Sequence, residues 1–230
     1  MIDNLVVVGF IWWKVMLMSA YLQEIEHAAS SVINLIWEER QKLELLMKEI
    51  NKLTVTVERG YQTAMTLQLT DDDHDAYMMG VATYWDTYWG EENEALQDKK
   101  IVFQELQEKI AAQSFSIASL SGSLLQYAKQ GISTVYKKPN ICPNGRLIKS
   151  QSLKVIIWEG RNQALHFEVG EFRRAAEECF ETLAKEVDTK FSDYNKRNMA
   201  FDIIELLGWK KIEDFKNDLM LLEKIVTKFT

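Results

Sequence analysis

Few residues in this chain are of a type that moves protons near neutral pH. It has three histidines, His27, His74 and His166, and histidine is the side chain whose ordinary titration lies in that range. His166 closes the run Trp158-Glu159-Gly160-Arg161-Asn162-Gln163-Ala164-Leu165-His166. Arg161, five residues earlier, brings a permanently charged planar fork that suits a phosphate on which charge develops. If the segment is helical, Asn162 and His166 stand four apart on one face. The Asn162 amide is then expected to orient the imidazole and fix which ring nitrogen is free. Arg161 falls about 140° around the axis from His166, so it does not stack beside the histidine in a regular helix. Either the helix is irregular at Gly160, or Arg161 reaches round, or two chains share the site.

The other histidines offer less. His27 completes Glu24-x-x-His27, the spacing by which di-iron helical bundles project two ligands from one face. Such a centre needs a second copy and two further inward carboxylates. The nearest second copy, Asp71-x-x-His74, has the wrong acid and sits at an expected helix start, so the ligand set is incomplete. The two cysteines, Cys142 and Cys179, form no Cys-x-x-Cys pair for zinc and cannot build a disulfide framework. No metal or other cofactor is expected, and the cysteine content suits a reducing cytoplasm.

Charge is unevenly distributed. The formal net charge of −7 by itself argues against a nucleic-acid partner. Yet the 50 residues from Lys109 to Trp158 contain no Asp or Glu and hold seven cations: Lys109, Lys129, Lys137, Lys138, Arg146, Lys149 and Lys154. That window carries +7, so the remainder carries −14, and the asymmetry is more informative than the mean.

The elements that must position these groups are helical. Hydrophobic residues make up 47% and charged residues 27%, a folded-protein composition, and both prolines, Pro139 and Pro143, fall close together. Leu22, Ile25, Ala29, Val32, Ile36, Leu43, Leu46, Ile50 and Leu53 form an apolar stripe that predicts one long helix, or two in line, over 18–57. Asp71-Asp72-Asp73 reads as a helix start. A second long helix is predicted over 91–130. Its run of small residues from Ser114 to Ser123 invites close packing. An irregular stretch over 131–150 is expected next, then a helix capped by Ser152 running to about Val169. Further helices are expected over 171–207, with a break near Asp193, and over 210–229, with Gly208 as the stop between them. No alternating pattern argues for a strand of any length. The expected class is all-α, with either an N-terminal helical extension over 1–90 and a helical domain over 91–230, or one continuous domain. Leu5 to Met18 is apolar but interrupted by Lys14, and it is shorter than the roughly 20 residues a membrane span needs. A buried or partner-packed segment is expected there, with no membrane partner.

In this setting Arg161-Asn162-x-x-x-His166 resembles the signature of the HEPN superfamily: an arginine, four to six residues, then a histidine, commonly with a polar residue after the arginine. The similarity in helical layout extends over roughly 91–190. It implies a HEPN-like helical bundle that cleaves RNA without metal, using the ribose 2′-OH as internal nucleophile, with Arg161, Asn162 and His166 as the catalytic set. It also implies a homodimer with facing motifs, a toxin or phage-defence role and an antitoxin protein among the partners. Lys137, Lys138, Arg146, Lys149 and Lys154 are then the candidate contacts to the RNA backbone. In HEPN toxins paired with minimal nucleotidyltransferases a tyrosine often lies two residues after the histidine. Here that residue is Glu168, so control by modifying that tyrosine is not expected. The competing reading is a non-catalytic HEPN-like module that binds RNA or protein.

Overall fold

The computed structural model describes residues 16–68, 78, 81, 91–136 and 139–223. Residues 5–15 of the apolar N-terminal segment, the helix start at Asp71, and His74, Lys137 and Lys138 lie outside them. The described chain is all-α apart from one minimal hairpin. Its elements run α1 (Met18–Gln68), α2 (Glu91–Tyr136), a 3-10 turn (Pro139–Ile141), β1 (Leu147–Ile148), β2 (Gln151–Ser152), α3 (Leu153–His166) and α4 (Arg174–Glu186). A second 3-10 segment (Thr189–Asn195), α5 (Ala200–Leu207) and α6 (Ile212–Met220) follow. No helix among the described residues is long and apolar enough to cross a membrane.

Two compact units divide the chain, and α1 and α2 each contribute to both. One unit spans Leu35–Leu120. Its buried apolar residues include Ile36, Leu43, Leu106 and Ile117, and the Gln113 amide donates to the Glu39 carboxylate between its two helical segments.

The other unit joins Met1–Asn34 to Ser121–Thr230 and contains everything that bears on the motif. Its core is built from Leu124, Leu125, Ile132, Leu153, Ile156, Ile157, Phe180, Ile203, Ile204, Trp209 and Phe215, all buried. The Phe180 ring stacks on Tyr194 with centroids 5.5 Å apart, and Trp209 meets Phe215 edge-on at 4.9 Å, the offset and T-shaped geometries that aromatic quadrupoles favour. Helix α1 is tied in by the Tyr21 hydroxyl, which donates to the Tyr127 carbonyl at 2.7 Å, and by Lys216 on Glu26 at 2.9 Å.

Helix α2 continues six residues past its expected end, to Tyr136. Gly131 does not break it: a Cβ at that position would stand 2.7 Å from the Tyr21 ring, so the missing side chain is what lets Tyr21 approach. The hairpin pairs Leu147 with Ser152 and Ile148 with Gln151 through a two-residue turn in which Lys149 adopts φ 55°. Strands of two residues are too short to leave an alternating pattern in the sequence. Ser152 ends β2 and also caps α3, its hydroxyl accepting from the Val155 amide at 3.4 Å. Gly208 takes the left-handed conformation at the end of α5, φ 73°, as its stop position predicts.

Candidate functional site

Helix α3 packs against α4, α5 and the hairpin, and it carries the whole Arg161–His166 motif. Its inward face is apolar through Leu153, Ile156 and Ile157, and it approaches α5 closely at Gly160. A Cβ there would lie 3.2 and 3.3 Å from the Ile203 side chain. Gln163, fully buried, anchors the same helix to the segment before α5. Its amide nitrogen donates to the Tyr194 and Arg197 carbonyls at 2.6 and 2.7 Å, and its oxygen accepts from the Met199 amide at 2.9 Å. Both observations fix the rotation of α3 and so decide where the motif side chains emerge.

Arg161 emerges half-buried toward α2, where its Nε donates to the Gln126 amide oxygen at 2.5 Å. Its terminal nitrogens take no further hydrogen bond among the described residues. His166 is the last residue of α3 and is exposed, with no side-chain hydrogen bond among the described residues. Helix α3 runs unbroken through Gly160, so the five-residue spacing sets the two positions about 140° apart around its axis.

Asn162 does not turn to the imidazole. Its oxygen accepts from Lys129 Nζ of α2 at 2.6 Å, and its nitrogen donates to Glu159 Oε2 at 3.0 Å. The competing partners are a cation and a buried carboxylate. Hydrogen bonds to charged groups are roughly twice as strong as those between uncharged ones, which outweighs sharing a helix face with the imidazole. Lys129 also lies over the Trp158 ring, 4.3 Å from its centroid. Burial depresses the Lys129 pKa, and Arg161 and Arg173 depress it further, while Glu159 works the other way. Glu159 also adds to the burial that pushes the Cys179 thiol up to about 12.

The structure therefore gathers Gln126, Lys129, Trp158, Glu159, Arg161 and Asn162 around the base of the motif. Of these, only Arg161 and Asn162 stood out in the sequence. Lys129 was visible as a member of the acid-free stretch, and Glu159 as a residue three before Asn162 on a helix. The lysine-on-tryptophan contact has no sequence signal.

The candidate backbone contacts separate. Arg146 is committed to the fold: its Nε and Nη2 donate to the two oxygens of buried Asp218 at 2.6 and 2.8 Å, and Nη2 also reaches the Leu207 carbonyl at 2.7 Å. Trp209 Nε1 donates to the same carboxylate at 2.8 Å. Lys154 donates to the Cys142 carbonyl at 2.9 Å, and Lys149 is exposed on the hairpin turn. Lys137 and Lys138 lie outside the described residues. His27 is exposed on α1, and no three His, Cys, Asp or Glu side chains among the described residues converge as a metal site would need. Both cysteines are buried, and neither is in a disulfide.

No protein-family model, no curated protein and no solved structure matches this chain.

Proposed function

We propose that this chain is a metal-independent endoribonuclease of HEPN type, acting as a cytoplasmic toxin or phage-defence effector. The observation that carries the reading is the state of the two motif side chains on α3. Arg161 is steadied through one nitrogen with its outer nitrogens unspent, and the His166 imidazole is exposed and unpartnered among the described residues. His166 takes the proton of a ribose 2′-OH. The resulting oxygen attacks the adjacent phosphorus and forms a 2′,3′-cyclic phosphate as the bond to the 5′ oxygen breaks. The 5′ oxygen leaves with a proton, returned by a histidine. Arg161 stabilises the charge on the non-bridging oxygens. Because the two groups diverge on one helix, the working site pairs Arg161 of one copy with His166 of another. Lys149, Lys154, Lys137 and Lys138 supply backbone contacts, and an antitoxin protein is the expected inhibitor.

One observation favours a second reading, a non-catalytic RNA-binding module. Asn162 serves Lys129 and Glu159, so it leaves His166 without the orienting bond that an acid–base role benefits from.

The deciding experiment is cleavage of labelled transfer RNA and a structured RNA in EDTA, wild type beside His166→Ala. Cleavage by the wild type, reduced at least 100-fold in the variant, is expected from the usual size of a general acid–base contribution, about 10²–10⁴. Binding without cleavage by either protein moves the second reading ahead.

A further inference from the structure

Four arginines among the described residues are held by acids: Arg40 by Glu44, Arg146 by Asp218, Arg174 by Glu178 and Arg197 by Asp202. In each pair the partner cancels the charge. Arg161 is held by a neutral group instead, the Gln126 amide oxygen, 2.5 Å from its Nε. The acid two residues before it on α3, Glu159, is buried and gives its Oε2 to Asn162.

The acid partners also consume the guanidinium. Arg146 spends Nε and Nη2 on Asp218, and Arg197 spends Nη1 and Nη2 on Asp202. Arg161 spends Nε alone, so the donors of both terminal nitrogens remain for another acceptor. Those nitrogens form the planar fork that grips two oxygens of a phosphate. A bond at Nε restricts the outer torsions of a side chain rich in rotamers, so the fork is aimed before a substrate arrives.

Packing fixes both ends of this bond. Leu124, Leu125 and Ala128 bury the inner face of α2. A Cβ at Gly160 of α3 would stand 3.6 Å from the Leu125 side chain, and a Cβ at Gly122 of α2 would stand 3.8 Å from that of Ala164. The two helices therefore run in contact past the motif, with Gln126 and Arg161 half-buried at the rim. A glutamate at 126 has the shape of glutamine and would reach Arg161 equally well. It would bind more tightly and cancel the charge that a phosphate needs.

We infer that Gln126 is a positioning residue of the proposed site: it aims Arg161 at an RNA phosphate and, being uncharged, leaves the arginine's charge for that phosphate. The inference rests on the ribonuclease reading for the identity of the anion, and it adds to that site a residue from α2.

The test compares Gln126→Glu, Gln126→Met and Gln130→Glu. Binding of a labelled single-stranded RNA oligonucleotide is measured against salt in the His166→Ala background, so that cleavage does not intervene. Gln126→Glu turns a neutral bond into an ion pair, so urea unfolding should show stability kept or raised. Its slope of log K against log salt should nonetheless shrink by about 0.7, the size of one phosphate contact on a single strand. A merely structural Gln126 would not lose an RNA contact while the fold is kept. Gln130→Glu adds the same charge one turn along α2 at an exposed position, and its slope should match wild type. Gln126→Met removes the bond and keeps the arginine's charge. With His166 present, its kcat for RNA cleavage should fall about 10-fold or more, because the fork is no longer aimed. An unchanged slope in Gln126→Glu, or an equal loss in Gln130→Glu, overturns the inference, as does a wild-type kcat in Gln126→Met. Failure of the cleavage reading appears separately, as a wild type that binds RNA without cutting it, and the slopes of the two glutamate variants then still decide the role of Gln126.

Discussion

Gln163 lies between the residues nominated for chemistry, yet its work is structural. Its amide, on a fully buried side chain, satisfies two carbonyls and one backbone N–H of the segment before α5. Each buried polar group left unpaired costs roughly 1–3 kcal/mol, so Gln163→Leu should lower stability by about 2–4 kcal/mol after the apolar gain of leucine. Urea unfolding measures it, and a loss below about 1 kcal/mol on that scale would show that water replaces the amide. The residue types of the motif and their splay were legible in the sequence because helical geometry alone sets them. The partner of Asn162 was not. The sequence puts His166 at i+4 and Glu159 at i−3 on neighbouring positions, and the choice between them depends on Lys129 arriving from another helix. Arg146 shows the same limit: its place in a basic stretch is visible, but the buried Asp218 that claims it is 72 residues away.

At the scale of elements, α3 works as a platform because it is fixed at both ends and close-packed in the middle. Ser152 caps its start, and the His166 carbonyl accepts from the Val169 and Gly170 amides at its end. At Gly160 the helix comes close to Ile203 of α5. A leucine there has no space against Ile203, and overpacking of this kind costs typically about 1–3 kcal/mol. Gly160→Leu should therefore reduce stability by that amount and shift α3 relative to α5. Chemical-shift changes confined to Gly160 and its sequence neighbours, with unchanged stability, would contradict this. The long helices, the Ser152 cap and the Gly208 stop followed from apolar period and capping chemistry. The true end of α2 did not, because Gly131 looks like a breaker until Tyr21, 110 residues earlier, is packed against it. The hairpin was hidden by its brevity. The break expected near Asp193 corresponds to a 3-10 segment, Thr189–Asn195, whose Phe191 is buried in the core.

For the whole molecule, the divergence of Arg161 and His166 has a consequence for assembly. Arg161 is drawn toward α2 by Gln126, whereas His166 ends α3 with Leu165 56% and Val169 69% exposed beside it. Two large apolar side chains at a helix end are what a second copy would cover in bringing its own Arg161 to this histidine, and a two-fold axis places the same pair of residues on both sides. The protein should therefore sediment at twice its chain mass at micromolar concentration. Leu165→Glu combined with Val169→Glu should shift it to the monomer and abolish RNA cleavage. Neither side chain is buried, so folding should be kept. A wild type that sediments as a monomer and still cleaves RNA would rule out the shared site. Arg161 would then have to reach His166 within one helix, against the direction in which Gln126 holds it.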